Sequence, residues 1–155
     1  MSALPFAMST SYGVNGPAGG LVTPRRLHCG SVAPGEERQV VLVVDDEPAI
    51  RLLCRVNLEL AGYDVREAGT LDDALRQVEE GIDIVLLDMH IGIESGETLL
   101  EELVRREIPV AVVTGSTDLE SVASKGANAV LAKPFTIEDL ETTVMRLAAL
   151  NTTRL

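Results

Sequence analysis

From residue 39 onward the chain alternates between two patterns. Apolar runs at "VVLVV" (40–44), "YDVRE" (63–67), "IDIVLL" (82–87), "PVAVVT" (109–114) and "NAVLA" (128–132) are each followed by a segment in which apolar residues recur at three- and four-residue spacing. The runs have strand length and the intervening segments have helix length and period, so five β/α units are expected. Four of the five runs are almost continuously apolar, as a parallel sheet covered on both faces requires, while "YDVRE" alternates and suits an edge. Helices are predicted over 48–61, 70–80, 95–107, 117–126 and 135–150, with Gly62, Gly81 and Gly126 just past three of their ends. In the first helix Ile50, Leu53, Cys54, Asn57 and Leu60 share a face, which makes Cys54 a packing residue. The expected fold is α/β: a doubly wound five-stranded parallel sheet of order 2-1-3-4-5 with helices on both faces.

In such a sheet the ligand site lies outside the carboxyl ends of the strands, where strand order reverses. The first run ends in Asp45, Asp46 and Glu47, the third in Asp88, the fourth in Thr114 and the fifth in Lys133. Acids before a helix usually cap its amides, and Pro48 opens a helix directly after this group. Asp88 shifts the balance, because the first and third strands are neighbours about 4.8 Å apart and their tips would share one pocket. Three carboxylates crowded there repel one another, and a hard, oxygen-seeking cation such as Mg²⁺ suits them. Thr114 reads either as a β-branched strand residue capping the next helix or as a hydroxyl presented to an anion. Lys133 stands at the end of an apolar strand in a chain that otherwise prefers Arg, and a compact ammonium fits a phosphate oxygen. Pro134 after it fixes the loop, and an X-Pro bond makes the cis form accessible.

Composition narrows the partners. The 155 residues are 46% apolar, enough for one buried core, and carry 24 acidic against 13 basic side chains, a formal −11. That balance opposes general attraction to nucleic acid or to an anionic membrane surface, and favours a protein partner or a small ligand. Residues 1–35 hold Arg25, Arg26 and no acid, whereas residues 36–155 hold all the acids and 11 bases, a formal −13. Residues 1–37, rich in Gly, Pro, Ser and Thr, read as a disordered tail, residues 38–151 as the folded domain and 152–155 as a short C-terminal tail. A single folded domain with no output domain is expected. Cys29 and Cys54 form no metal or disulfide pattern, which suits a reducing cytoplasm, and no apolar run approaches the roughly 20 residues that span a bilayer.

The segments "VVLVVDDEP", "DIVLLDMHIGIESG", "AVVTGS" and "AVLAKPF" occur in an order and spacing that resemble the receiver domain of two-component response regulators. The resemblance covers about Gln39 to Leu150 and implies the flavodoxin-like strand order. It also implies that Asp88 accepts a phosphoryl group from a histidine kinase or histidine phosphotransfer protein. By the same resemblance Asp46, Asp88 and the backbone carbonyl of His90 bind Mg²⁺, with Asp45 holding it through water. Thr114 and Lys133 would contact the phosphoryl group, and the output would pass to a downstream protein. Such a chain catalyses only its own phosphorylation and dephosphorylation, and is not otherwise an enzyme. His90 and Ser116 line the approach of the hydrolytic water. The chain departs from the family at three places. Ile91 and Gly92 replace the usual Met-Pro, although Gly96 stands where expected, and Val130 replaces the usual switch aromatic. A phosphohydrolase with an Asp nucleophile is the rival enzyme class, but it would carry a second acid where His90 stands. A phosphorylation-independent adaptor is the other rival, and Val130 is its one hint.

Overall fold

The protein is described from a computed structural model, over residues 37–152. The expected tails therefore lie outside the described residues, save Glu37 and Thr152. The elements run β1 (Val40–Val44), α1 (Pro48–Leu60), β2 (Asp64–Ala68), α2 (Leu71–Glu79), β3 (Ile84–Asp88), β4 (His90–Ile91), β5 (Glu94–Ser95), α3 (Glu97–Arg105), β6 (Val110–Thr114), α4 (Leu119–Ser124), β7 (Ala129–Ala132) and α5 (Ile137–Thr152). The main sheet is parallel throughout, in the order β2-β1-β3-β6-β7. For the five long strands this is the expected order 2-1-3-4-5, with the alternating run at an edge.

The sheet is buried on both faces because successive residues of its apolar strands point to opposite sides. Leu42, Val44, Val85, Leu87, Val110 and Val112 pack against α2 and α3 through Ala74, Val78, Leu99, Leu100 and Leu103. Val41, Val43, Ile84, Leu86, Ala111 and Val113 meet Cys54 and Leu58 of α1 and Leu140, Val144 and Leu147 of α5 on the other side. Cys54 is thus a packing residue, and burial followed by the negative charge of Asp45 pushes its thiol pKa up to about 11. At about 11 it stays a neutral, unreactive thiol near pH 7.

Element ends differ from the sequence reading in physically legible ways. Thr70 caps α2 from outside, its hydroxyl accepting the Asp73 N–H at 3.2 Å. Asp118 does the same for α4 by accepting the Ser121 N–H at 3.1 Å, so α4 begins at Leu119 and not at 117. The larger difference lies between β3 and α3, where helix was expected from residue 95. Residues 90–95 instead form a small antiparallel hairpin, pairing His90 with Ser95 and Ile91 with Glu94, and α3 starts at Glu97. Ile91 is its buried anchor, whereas Ile93 at the turn is fully exposed.

Candidate acidic phosphoacceptor site

The carboxyl edge of the sheet gathers the side chains singled out at the strand ends. Asp45 follows β1, Asp88 closes β3, Thr114 closes β6 and Lys133 follows β7. Among the buried residues these acids and the threonine stand out, with Asp45 2%, Asp88 7% and Thr114 2% exposed. Buried carboxylates need partners, and Lys133 supplies one to both. Its Nζ donates to Asp45 Oδ2 and to Asp88 Oδ2 at 2.9 Å each. Partial burial by itself would lower the lysine pKa, but these two hydrogen bonds and charges outweigh it and hold the ammonium above the ordinary lysine value. The Lys133–Pro134 peptide bond is cis. Lys133 N–H also donates to the Thr114 carbonyl at 2.7 Å, tying the β7 end to the β6 end.

The capping interpretation of "DDE" is not met, because none of the three acids accepts from an amide of α1 itself. Asp45 Oδ1 accepts the Glu47 N–H at 2.8 Å, while Glu47, at the N-cap of α1, offers no side-chain cap. Asp46 is exposed and turns across to the hairpin, where its Oδ2 accepts the Gly92 N–H at 3.0 Å. Asp88 Oδ1 accepts the N–H of His90 at 2.9 Å, and the His90 imidazole stays exposed at the rim. One carboxylate oxygen from each of Asp45, Asp46 and Asp88 lies within 4.8 Å of the others. A single ammonium against three carboxylates leaves a formal charge of −2 at this edge. The donor set is all oxygen and anionic, so the trio fits a hard divalent cation of the Mg²⁺ type.

A residue absent from the sequence reading also shapes this edge, and Gly96, which the resemblance placed there, does too. Arg51 lies six positions after Asp45 and sends Nη1 to the main-chain carbonyl of Asp45 at 2.6 Å, while its Nε sits 3.6 Å from Glu67. An arginine is therefore close, but it is committed to a carbonyl and another acid, not to the three carboxylates. Gly96 is required by space: a Cβ there would lie 2.9 Å from the Asp88 carbonyl oxygen. Thr114 Oγ1 accepts the Ser116 N–H at 3.0 Å, which shapes the loop toward α4 without capping the helix itself. A cavity of about 210 Å³, lined by Met89, His90, Ser95, Thr114, Ser116 and Lys125 among others, opens beside the acids without including them. Val130 in β7 is half-buried on the side that carries Val122 of α4, whereas Leu131 faces the α5 side. The valine thus lies on the α4 side of the sheet.

Residues 41–145 match the family model described as the response regulator receiver domain. The chain belongs to the response regulator receiver family. A probable methanogenesis regulatory protein, FilR2 of Methanothrix harundinacea, is 33% identical over 134 residues, covering 76% of this chain and 86% of that protein. The DNA-binding dual master transcriptional regulator RpaA of Synechocystis is 36% identical over 109 residues, covering 64% of this chain and 45% of that protein. The chain thus spans less than half the length of that larger regulator. Among solved structures, a CheY-like receiver domain from Methanospirillum hungatei superposes with a TM-score of 0.70 at 29% identity, over 77% of this chain and 100% of that one. Among the described residues of this receiver, no helix is long and apolar enough to cross a membrane.

Proposed function

We propose that this receiver is a phosphorylatable switch in which Asp88 is the acceptor, and the observation that carries the reading is the shared ammonium of Lys133. Its Nζ contacts Asp88 and Asp45 equally, at 2.9 Å, so Asp88 is held as a buried carboxylate beside a fixed cation at the mouth of the sheet. Such a carboxylate is a nucleophile in waiting. An oxygen of Asp88 attacks the phosphorus of a phosphohistidine on a histidine kinase or phosphotransfer protein. The bond from phosphorus to the imidazole nitrogen breaks, its electron pair stays on that nitrogen, and an aspartyl phosphate results. Lys133 then meets a phosphoryl oxygen where it had met Asp88, and the Thr114 hydroxyl is placed to donate to another.

Asp45, Asp46 and Asp88, with the carbonyl of His90, would hold Mg²⁺. When bound, that ion offsets the repulsion among the acids and the charge on the transferring group. The chain's own part is to fix the acids: Glu47 N–H and Lys133 hold Asp45, Gly92 N–H holds Asp46, and His90 N–H and Lys133 hold Asp88. His90 stands where a phosphohydrolase of the Asp-nucleophile class would carry its second acid, which favours self-limited phosphorylation over such an enzyme. The folded domain at 38–151 would signal to a downstream protein through contacts that respond to the modification. The strongly acidic surface favours a protein over nucleic acid as that direct partner. A cytoplasmic setting suits such a phosphoryl donor.

Acetyl phosphate with Mg²⁺ should give a phosphate adduct by intact mass that hydroxylamine removes, as it does acyl phosphates. Omitting Mg²⁺ or introducing Asp88→Asn should abolish it. An adduct of equal yield on Asp88→Asn would reject Asp88 as the acceptor.

A further inference from the structure

The hairpin between β3 and α3 aims two of its backbone amides at acids from two different strands. The His90 N–H reaches Asp88 Oδ1 at 2.9 Å, and two residues on, where the same side of an extended chain faces the pocket again, the Gly92 N–H reaches Asp46 Oδ2 at 3.0 Å. We propose that the Gly92 N–H is a positioning group for the cation site. It holds Asp46 by one carboxylate oxygen and so presents the other toward Asp45 and Asp88. This rests on the Mg²⁺ reading above and assigns a role to the residue at which the chain departs from the family's loop.

Three features make the hydrogen bond more than an incidental loop contact. Asp46 is exposed, and an exposed aspartate otherwise spreads over its rotamers, so a fixed partner decides where its free oxygen points. The donor itself is held firmly. Ile91 beside it is buried at 4% exposure, and at the far end of the hairpin Gly96 sits tight against the Asp88 carbonyl and donates its N–H to the Met89 carbonyl at 2.9 Å. Finally, Gly92 has φ 60, the sign wanted at the first central position of a two-residue hairpin turn. Proline offers neither that φ nor an N–H. The hairpin thereby links the acid of the β1–α1 loop to the acid at the tip of β3 and sets the spacing of the two. Hydrogen bonds to metal-ligating carboxylates of this kind are worth about 10- to 100-fold in metal affinity.

The test is Mg²⁺ affinity of the full chain, by calorimetry or NMR titration, for wild type, Gly92→Ala and Gly92→Pro. Alanine keeps the N–H and its Cβ would meet nothing within 4 Å, but a φ of 60 strains it, so it is the control for a disturbed turn that retains the donor; proline removes the N–H as well as that φ. The expected result is at least about a tenfold loss for Gly92→Pro, with Gly92→Ala staying much closer to wild type. Because proline also disturbs the turn, the wild-type Gly92 amide is followed by hydrogen exchange as Mg²⁺ is added, and it should remain protected at saturation. Loss of that protection would mean that the cation takes Asp46 away from Gly92, and would overturn the proposal, as would wild-type affinity in Gly92→Pro. Wild-type protein indifferent to Mg²⁺ would instead overturn the metal reading on which the proposal stands.

Discussion

Lys133 separates two acids that would otherwise face each other across the tips of β1 and β3. Its own side chain is 26% exposed, but those of Asp45 and Asp88 are 3% and 10% exposed, so removing the ammonium leaves two buried like charges with one backbone amide each and no counter-charge. Lys133→Met is therefore expected to destabilise the domain by on the order of 2 kcal/mol. Urea denaturation near pH 7 checks this, and an unchanged midpoint would show that the shared ammonium does little for the fold. The meeting of Asp45, Asp46, Asp88, Thr114 and Lys133 at one edge is legible in the sequence, because each stands where an apolar run stops and a parallel sheet puts such positions together. The Gly92 and Arg51 contacts are not legible in the same way. The first is made by a backbone amide, which no side-chain pattern encodes. The second depends on an arginine reaching from the first helix back to the Asp45 carbonyl, a direction that helical spacing alone does not specify.

The long strands follow their hydrophobic pattern and the short ones escape it, while α1 buries Cys54 and Leu58 and leaves Leu53 and Leu60 of its expected face exposed. The two-residue strands β4 and β5 offer no alternation to read, so the segment "HIGIES" merges with the helical pattern that follows; only the buried Ile91 against the exposed Ile93 betrays the hairpin. At the end of α3, Glu102 accepts from both Arg105 and Arg106, and its pKa falls to about 2 under those hydrogen bonds. A carboxyl held below its ordinary 4.5 contributes stability at pH above that value, and loses it as pH falls toward 2. Because the group is exposed, the effect should be small and should weaken in salt. Glu102→Gln should flatten the acid limb of the melting curve between those pH values at low salt, and an acid limb identical to wild type would contradict this. In β7 the half-buried Val130 has no polar tip and little reach, so it cannot exchange between solvent and interior as a tyrosine does. A modification shifts an equilibrium only through differential contacts with the two states. Beryllofluoride with Mg²⁺ should therefore move amide shifts over residues 114–118 more than over 128–145. The reverse order would show that the valine does not uncouple that face.

For the whole molecule, the unbalanced charge of the acidic edge couples folding to cation concentration. Only the native chain assembles the three carboxylates, so Mg²⁺ should stabilise it by mass action, about 2.7 kcal/mol at 100 times the dissociation constant. Asp46→Ala should remove most of that gain in a thermal melt. A wild-type midpoint that ignores millimolar Mg²⁺ would mean that the trio holds no cation. The sheet order that builds this edge is dictated by five apolar runs and right-handed crossovers, and needs nothing from residues 1–36 that the sequence makes visible. What the edge is for turns on one atom position. After phosphorylation by acetyl phosphate with Mg²⁺, borohydride reduction converts an aspartyl phosphate to homoserine, and peptide sequencing by mass then reads which residue carried it. Homoserine at residue 88 and nowhere else is the expected result; homoserine at residue 45 or 46 with residue 88 unchanged would contradict the assignment of Asp88 as acceptor.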